Sequence, residues 1–153
     1  MLTSLRLTPS RLLLAVALAA SVTACQAYTS VSAADLPTEL SFTPVLAQAP
    51  MRDTARVAGV SGSVAILGLL NQSPPCFSLA SGATREGDRV IVRLTAKEAA
   101  QTCNTFAAGA FDYDVGVRGL APGTYFVDVL HRVLFKDGRA VEERAGTRRV
   151  EVK

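Results

Sequence analysis

The sequence predicts an all-β sandwich of about seven strands over residues 57–153. Three observations carry this. From Val57 onward apolar side chains recur at every second position, turn signals punctuate the chain at short intervals, and helical periodicity is confined to one patch. A period of two is that of a half-buried strand, whose alternate residues face core and solvent. Several short strands of this kind bury their apolar faces by stacking one sheet on another.

Taken in order, Val60, Gly62, Val64 and Ile66 share one face of a first strand, and Leu67 to Leu70 extend it. Asn71-Gln72-Ser73-Pro74-Pro75 is a turn, and Cys76 to Ala80 begins the second strand. Glu86-Gly87-Asp88 turns tightly into Arg89–Thr95, where Val90, Val92 and Leu94 face one way and Ile91 and Arg93 the other. Ala96 to Cys103 is the one helical patch, with a loop across the sheet ends as its alternative. Phe111, Tyr113, Val115 and Val117 line the inner face of the next strand; Asp112, Asp114 and Arg118 line its outer face. Pro122-Gly123 suits the centre of a type II turn, after which Tyr125, Val127 and Val129 point inward. Asp137-Gly138 signals a two-residue hairpin, which pairs Leu134 with Val141 and Arg132 with Glu143. Val150 and Val152 complete the inward stripe.

The N-terminal third follows different rules. Arg6 and Arg11 flank an unbroken apolar run, Leu12 to Ala20, which leads through small residues to Val22-Thr23-Ala24-Cys25. Such a run is too short to span a bilayer, which needs about 20 apolar residues, and matches a helical signal-peptide core. The stretch resembles the lipobox of bacterial lipoproteins. That resemblance implies cleavage between Ala24 and Cys25, a diacylglyceryl group on the Cys25 sulfur, and a further acyl chain, such as palmitate, on its freed amine. It also implies a membrane anchor in the cell envelope. Gln26 stands where an aspartate holds inner-membrane lipoproteins back, so the resemblance favours the periplasmic face of the outer membrane. The expected organisation is a signal peptide at 1–24, a lipidated N-terminus and flexible tether at 25–56, and the sandwich at 57–153. Pro37, Pro44 and Pro50 argue for the tether, while Leu40, Phe42, Val45 and Leu46 offer an edge strand instead.

Three cysteines are an awkward number for an exported chain. With Cys25 acylated, Cys76 and Cys103 are left in an oxidising compartment, where a disulfide forms readily. The bridge would close a loop of about 28 residues and add about 3.5 kcal/mol on the chain-entropy model. Two separate buried thiols are the alternative. A metal site is not expected, because two thiols without a nearby histidine make an incomplete ligand set. Removing residues 1–24 takes away two arginines and leaves 14 basic against 13 acidic side chains, a net charge of +1. So balanced a chain is not expected to bind nucleic acid. It also has no tryptophan and few other aromatics for a carbohydrate platform.

A second resemblance lies further along. Leu120-x-Pro122-Gly123-Thr124-Tyr125-x-Val127-x-Val129 is similar to the L-x-P-G-T-Y run of immunoglobulin-like and fibronectin type III-like domains, and also to transthyretin-like domains. It covers about ten residues and implies a single immunoglobulin-like β-sandwich. Antibody domains are poor templates, since no tryptophan is present to pack on a disulfide.

Catalytic signals are sparse. His131 is the only histidine and shares the inward parity of Val127 and Val129, which marks it as structural. No Gly-x-Ser-x-Gly elbow or glycine-rich phosphate loop occurs. Asp112 and Asp114 share a strand face but lack the further oxygens that calcium needs. The expectation is therefore a non-enzymatic, monomeric envelope lipoprotein without cofactor or metal, whose sandwich binds or scaffolds an envelope protein or glycan. The alternatives are a transthyretin-like accessory domain with a passive structural role, and a hydrolase built on Asp112, Asp114 and His131 should a turn bring them together.

Overall fold

The computed structural model describes residues 33–47, 51–100 and 108–153. Ser32–Lys153 is one compact unit. The described chain is strand almost throughout: β1 (Ala34–Leu36), β2 (Thr38–Ala47), β3 (Thr54–Val60), β4 (Ser63–Leu70), β5 (Phe77–Glu86), β6 (Arg89–Glu98), β7 (Ala108–Arg118), β8 (Gly123–Leu134) and β9 (Ala140–Val152). A five-stranded sheet in the order β1-β5-β6-β8-β9 faces a four-stranded sheet in the order β2-β7-β4-β3. All neighbours are antiparallel except β6 and β8. The predicted all-β sandwich is present, with nine strands rather than about seven.

The period-two stripes supply the core. Val90, Val92 and Leu94 of β6 and Val127 and Val129 of β8 are fully buried, against Val64 and Ile66 of β4 and Val115 and Val117 of β7. Each such side chain contributes about 1.5–3 kcal/mol of apolar transfer free energy. Phe111, Tyr113, Tyr125, Val150 and Val152 are buried as expected, and Asp112, Asp114 and Arg118 are exposed. The Tyr125 hydroxyl donates to the Ala121 carbonyl at 2.9 Å, four residues upstream, which locks the turn before β8.

Both margins of the sandwich are sealed by unusual means. The first edge strand changes sheets at Pro37: β1 pairs with β5, and β2 pairs with β7 along its length. The Pro37 carbonyl accepts the Arg118 N–H at 3.0 Å. At the other margin β3 runs close against β9, and Gly59 makes room. A Cβ there would lie 2.0 Å from the Glu151 carbonyl oxygen.

Five expectations need correction. Residues 34–36, 38–47 and 54–56 are not tether but strand, so the domain starts well before residue 57. Pro44 is accommodated because β2 is an edge strand, where a residue without an N–H need not break a ladder. The first predicted strand is a hairpin, since Gly62 turns the chain at a φ of 65° between β3 and β4. Ala96–Glu98 continues β6 and is not helical. At the Pro122 bend the left-handed residue is Gly119, at a φ of 81°, and no type II turn forms at Gly123.

The fifth correction is one of register. Leu134 pairs with Ala140 and Arg132 with Glu142. A two-residue type I′ loop needs positive φ at both central residues, and Asp137 does not supply it. Instead the Gly138 N–H donates to Phe135 and the Phe135 N–H to Arg139, with Gly138 at a φ of 87°. This three-residue loop shifts the hairpin by one position. A bulge after Val129 then restores the inward parity of Val150 and Val152.

Candidate functional site

The polar groups buried between the sheets converge on His131. The ring is 3% exposed and projects inward from β8 on the parity its neighbours predict. Its Nδ1 lies 2.6 Å from Asp53 Oδ2 and its Nε2 lies 2.8 Å from the Tyr113 hydroxyl. Asp53 directly precedes β3, and Tyr113 sits on β7, so the three residues tie both sheets together. Local contacts fix the carboxylate. Asp53 Oδ1 accepts the Asn71 N–H at 2.7 Å, while Asn71 Oδ1 accepts the Met51 N–H at 3.3 Å.

Gly68 creates the space for the phenol. It pairs directly with Tyr113 across β4 and β7, and a Cβ at this position would lie 2.4 Å from the hydroxyl and 2.2 Å from the Thr54 carbonyl oxygen. The Tyr113 and His131 rings meet edge to face, with centroids 5.5 Å apart. A second acceptor for the hydroxyl, the Thr54 carbonyl, stands at 3.3 Å.

The electrostatics follow from this packing. Burial alone would raise the Asp53 carboxyl, but hydrogen bonds from His131 and the Asn71 N–H, with the attraction of His131, outweigh it and hold it below the usual carboxylate range. Burial, reinforced by the Asp53 charge, pushes the Tyr113 hydroxyl far above its usual range. An ionised carboxylate only accepts, so Nδ1 carries a proton. The phenol then donates to the Nε2 of a neutral ring, or accepts from the Nε2–H of a charged one and turns its own proton to the Thr54 carbonyl; in both states Nε2 is occupied. A carboxylate–imidazole pair can serve as a base through Nε2, yet here that nitrogen is capped by a tyrosine only 1% exposed. The arrangement is a polar clamp between two sheets.

Beside the ring is a cavity of about 190 Å³, lined by Asp53, Asn71, Gln72, His131, Val133, Val141 and Glu143. Small-molecule sites usually measure roughly 300–1,000 Å³. Asp112 and Asp114 are not part of it. They face solvent on the outer side of the four-stranded sheet, whereas His131 faces inward from the other, so the hydrolase constellation does not assemble.

A buried carboxylate lies on the outer face of the five-stranded sheet. Asp128 is 3% exposed and accepts from Arg89 Nε at 2.7 Å and from the Thr147 hydroxyl at 2.6 Å. A second Arg89 nitrogen also contacts it, and Arg144 Nε lies 3.7 Å away. Burial opposes ionisation, but the Thr147 and Arg89 hydrogen bonds and the charges of Arg89 and Arg144 prevail, and the carboxyl is held below its usual range.

Sequence reasoning placed His131 correctly but missed Asp53, 78 residues earlier, and Asp128, whose outward parity suggests a solvated side chain. No local signal marks either one. Of the other predicted residues, Cys76 is buried at the end of a 3-10 turn, Pro74–Cys76, and is disulfide-bonded. Ala24, Cys25 and Cys103 lie outside the described residues, so the Cys76–Cys103 pairing stays a proposal. Among the described residues no cluster of three or more acidic, histidine or cysteine side chains could hold a metal ion, and no helix is long and apolar enough to cross a membrane. The chain matches no known protein family, no curated protein and no solved structure.

Proposed function

We propose that this chain is a lipid-anchored, non-enzymatic envelope lipoprotein whose β-sandwich binds or scaffolds another component of the cell envelope. One observation favours a binding or structural role over catalysis. The only imidazole is buried, and its Nε2 is occupied by the Tyr113 hydroxyl, which leaves no free imidazole for a substrate. The anchor rests on the Val22-Thr23-Ala24-Cys25 motif and its apolar approach. One acyl chain holds a protein to a bilayer only marginally, whereas two or more hold it firmly.

Intact-mass measurement of the protein extracted from its native envelope tests the anchor. A chain starting at Cys25 and carrying two or three acyl groups is expected; an unmodified Cys25 refutes it. Pull-down from detergent-solubilised envelopes tests the second half of the reading. A reproducible partner supports a binding module, and none leaves the passive structural role. In the same sample, thiol titration under native conditions is expected to find neither Cys76 nor Cys103.

A further inference from the structure

The outer face of the four-stranded sheet is complementary to itself. In the strand order β2, β7, β4 and β3, one row across it reads Ser41, Asp114, Leu67 and Arg56. The row is negative on one side, positive on the other and apolar between, with Leu67 52% exposed. The other charges on this face are Asp112, two residues from Asp114 on the same strand, and Glu39 and Arg118, which pair with each other at 2.6 Å. Arg56, Asp112 and Asp114 have no ion-pair partner among the described residues. In the next row Ala58, Ala65 and Gly116 keep the surface low. A Cβ at Gly116 would meet nothing within 4 Å, and a notch of about 260 Å³ opens there, lined by Glu39, Leu40, Ser41, Asp114 and Gly116.

Such a face fits a second copy of itself. Packed sheets lie about 10 Å apart, and an isologous pair needs a two-fold axis in the plane between them. An axis laid along the strands at the middle of the sheet, between β4 and β7, keeps every row level with its counterpart. It sets the two Leu67 side chains next to each other and carries β3 of each copy over β2 of the other. Arg56 of one copy then stands over the acidic notch of the other, within a side chain's length of Asp114, and the contact occurs twice. The roughly 30° crossing of packed sheets moves the outer strands by about 4 Å, which an arginine spans. An axis across the strands at this row would instead set Arg56 against Arg56. Four strands about 4.8 Å apart and about eight residues at about 3.4 Å give a face of roughly 500 Å². Two copies therefore bury about 1,000 Å², the size of a weak and reversible interface. β1, by which the chain enters the domain, lies in the other sheet and stays clear of it.

We propose that this chain forms a reversible two-fold dimer through the outer face of its four-stranded sheet, with Leu67 at the axis and Arg56 of each copy paired with Asp114 of the other. Such a dimer is independent of the lipid anchor and replaces the monomer expected from the sequence.

Sedimentation equilibrium of the unit Ser32–Lys153, which contains both sheets and no acyl chain, tests this. A dimer in exchange with monomer is expected, with a Kd in the tens to hundreds of micromolar. Leu67→Lys places like charges together at the axis and should weaken association at least about tenfold. Arg56→Glu, facing Asp114, should do the same, and so should Asp114→Arg, facing Arg56. An equimolar mixture of those two variants should form a heterodimer about as tight as the original, because both contacts then join unlike charges. That recovery separates a broken contact from a broken fold. Phe126→Lys, on the outer face of the other sheet, should change association less than twofold. A chain that stays monomeric up to about 1 mM overturns the proposal and leaves this face to a different protein. So does association that Leu67→Lys and both reversals leave unchanged, a mixture of the reversals that fails to pair, or an equal loss from Phe126→Lys.

Discussion

Asp53 and Asp128 are both held below the usual carboxylate range by basic partners, yet their burial is inverted. At the clamp the carboxylate is 34% exposed and its imidazole partner 2%. On the outer face the carboxylate is 4% exposed and its arginines 51% and 60%. What a polar pair contributes depends on which member is stranded when the other is removed. A buried group left without a partner loses its solvation outright, whereas an exposed one returns to water. The clamp is therefore vulnerable through its packing, and the outer site through its exposed arginines.

The largest effect should come from the residue that makes room for the clamp. Gly68→Ala puts a methyl against the Thr54 carbonyl oxygen and the Tyr113 hydroxyl together. The first of these is backbone and cannot swing aside. A loss of about 3 kcal/mol is expected, near the top of the overpacking range. In thermal unfolding that is a fall of about 12 °C. A shift under 3 °C would mean that β4 and β7 can separate at this point, and that the Tyr113–His131 contact is not rigidly held.

On the outer face the order of effects should look inverted to anyone judging by burial alone. Arg89→Ala leaves the Asp128 carboxylate buried with only Thr147 and the more distant Arg144, and should cost about 2 kcal/mol. Asp128→Ala removes the buried charge and releases two arginines into water, and should cost about 1 kcal/mol. Urea midpoints of the two variants, at equal slope, measure the difference. If Asp128→Ala proves the more damaging, the carboxylate is organising the strand pairing beyond its own hydrogen bonds.

Acidity probes the same carboxylate without changing its shape. Its pKa is depressed in the folded state, so between the folded value and the unfolded value near 4 the unfolded chain binds more protons. Its contribution is complete above about pH 4 and is lost as pH falls through the folded value. Asp128→Asn cannot make this gain. The stability gap between the two proteins should be full at about pH 5.5 and close progressively below about pH 4. A gap unchanged down to about pH 2 would assign the difference to packing.

The parts of this fold that could be read from sequence are those set by local alternation. The buried stripes of β7, β8 and β9 follow from period two alone, and so does the inward parity of His131. What could not be read depends on neighbours far along the chain. Pro37 and Pro44 signal a break unless the strand is known to lie at an edge, and only the pairing of β1 and β2 with β5 and β7 establishes that. Asp-Gly fits both two- and three-residue hairpin loops, and the choice moves every cross-strand pair by one. Asp53 and Asp128 look like ordinary surface carboxylates until a histidine 78 residues away and an arginine 39 residues away are folded onto them.

The smallest effect tests the corrected register on the outer face. Arg93 Nε lies 3.4 Å from Glu142 Oε2, with both side chains 39% exposed. In the corrected hairpin Glu143 instead pairs with buried His131, on the opposite side of the strand, and lines the cavity beside the clamp. A double-mutant cycle between Arg93→Gln and Glu142→Gln should give a coupling of about 0.5 kcal/mol, as partly exposed ion pairs do. The same cycle with Glu143→Gln should give none within error, because the strand places that carboxylate on the other face. Coupling to Glu143 in place of Glu142 would restore the two-residue turn at Asp137-Gly138. It would also exchange Glu142 for Glu143 beside Arg132 on the outer face of the five-stranded sheet and turn Glu142 toward the clamp.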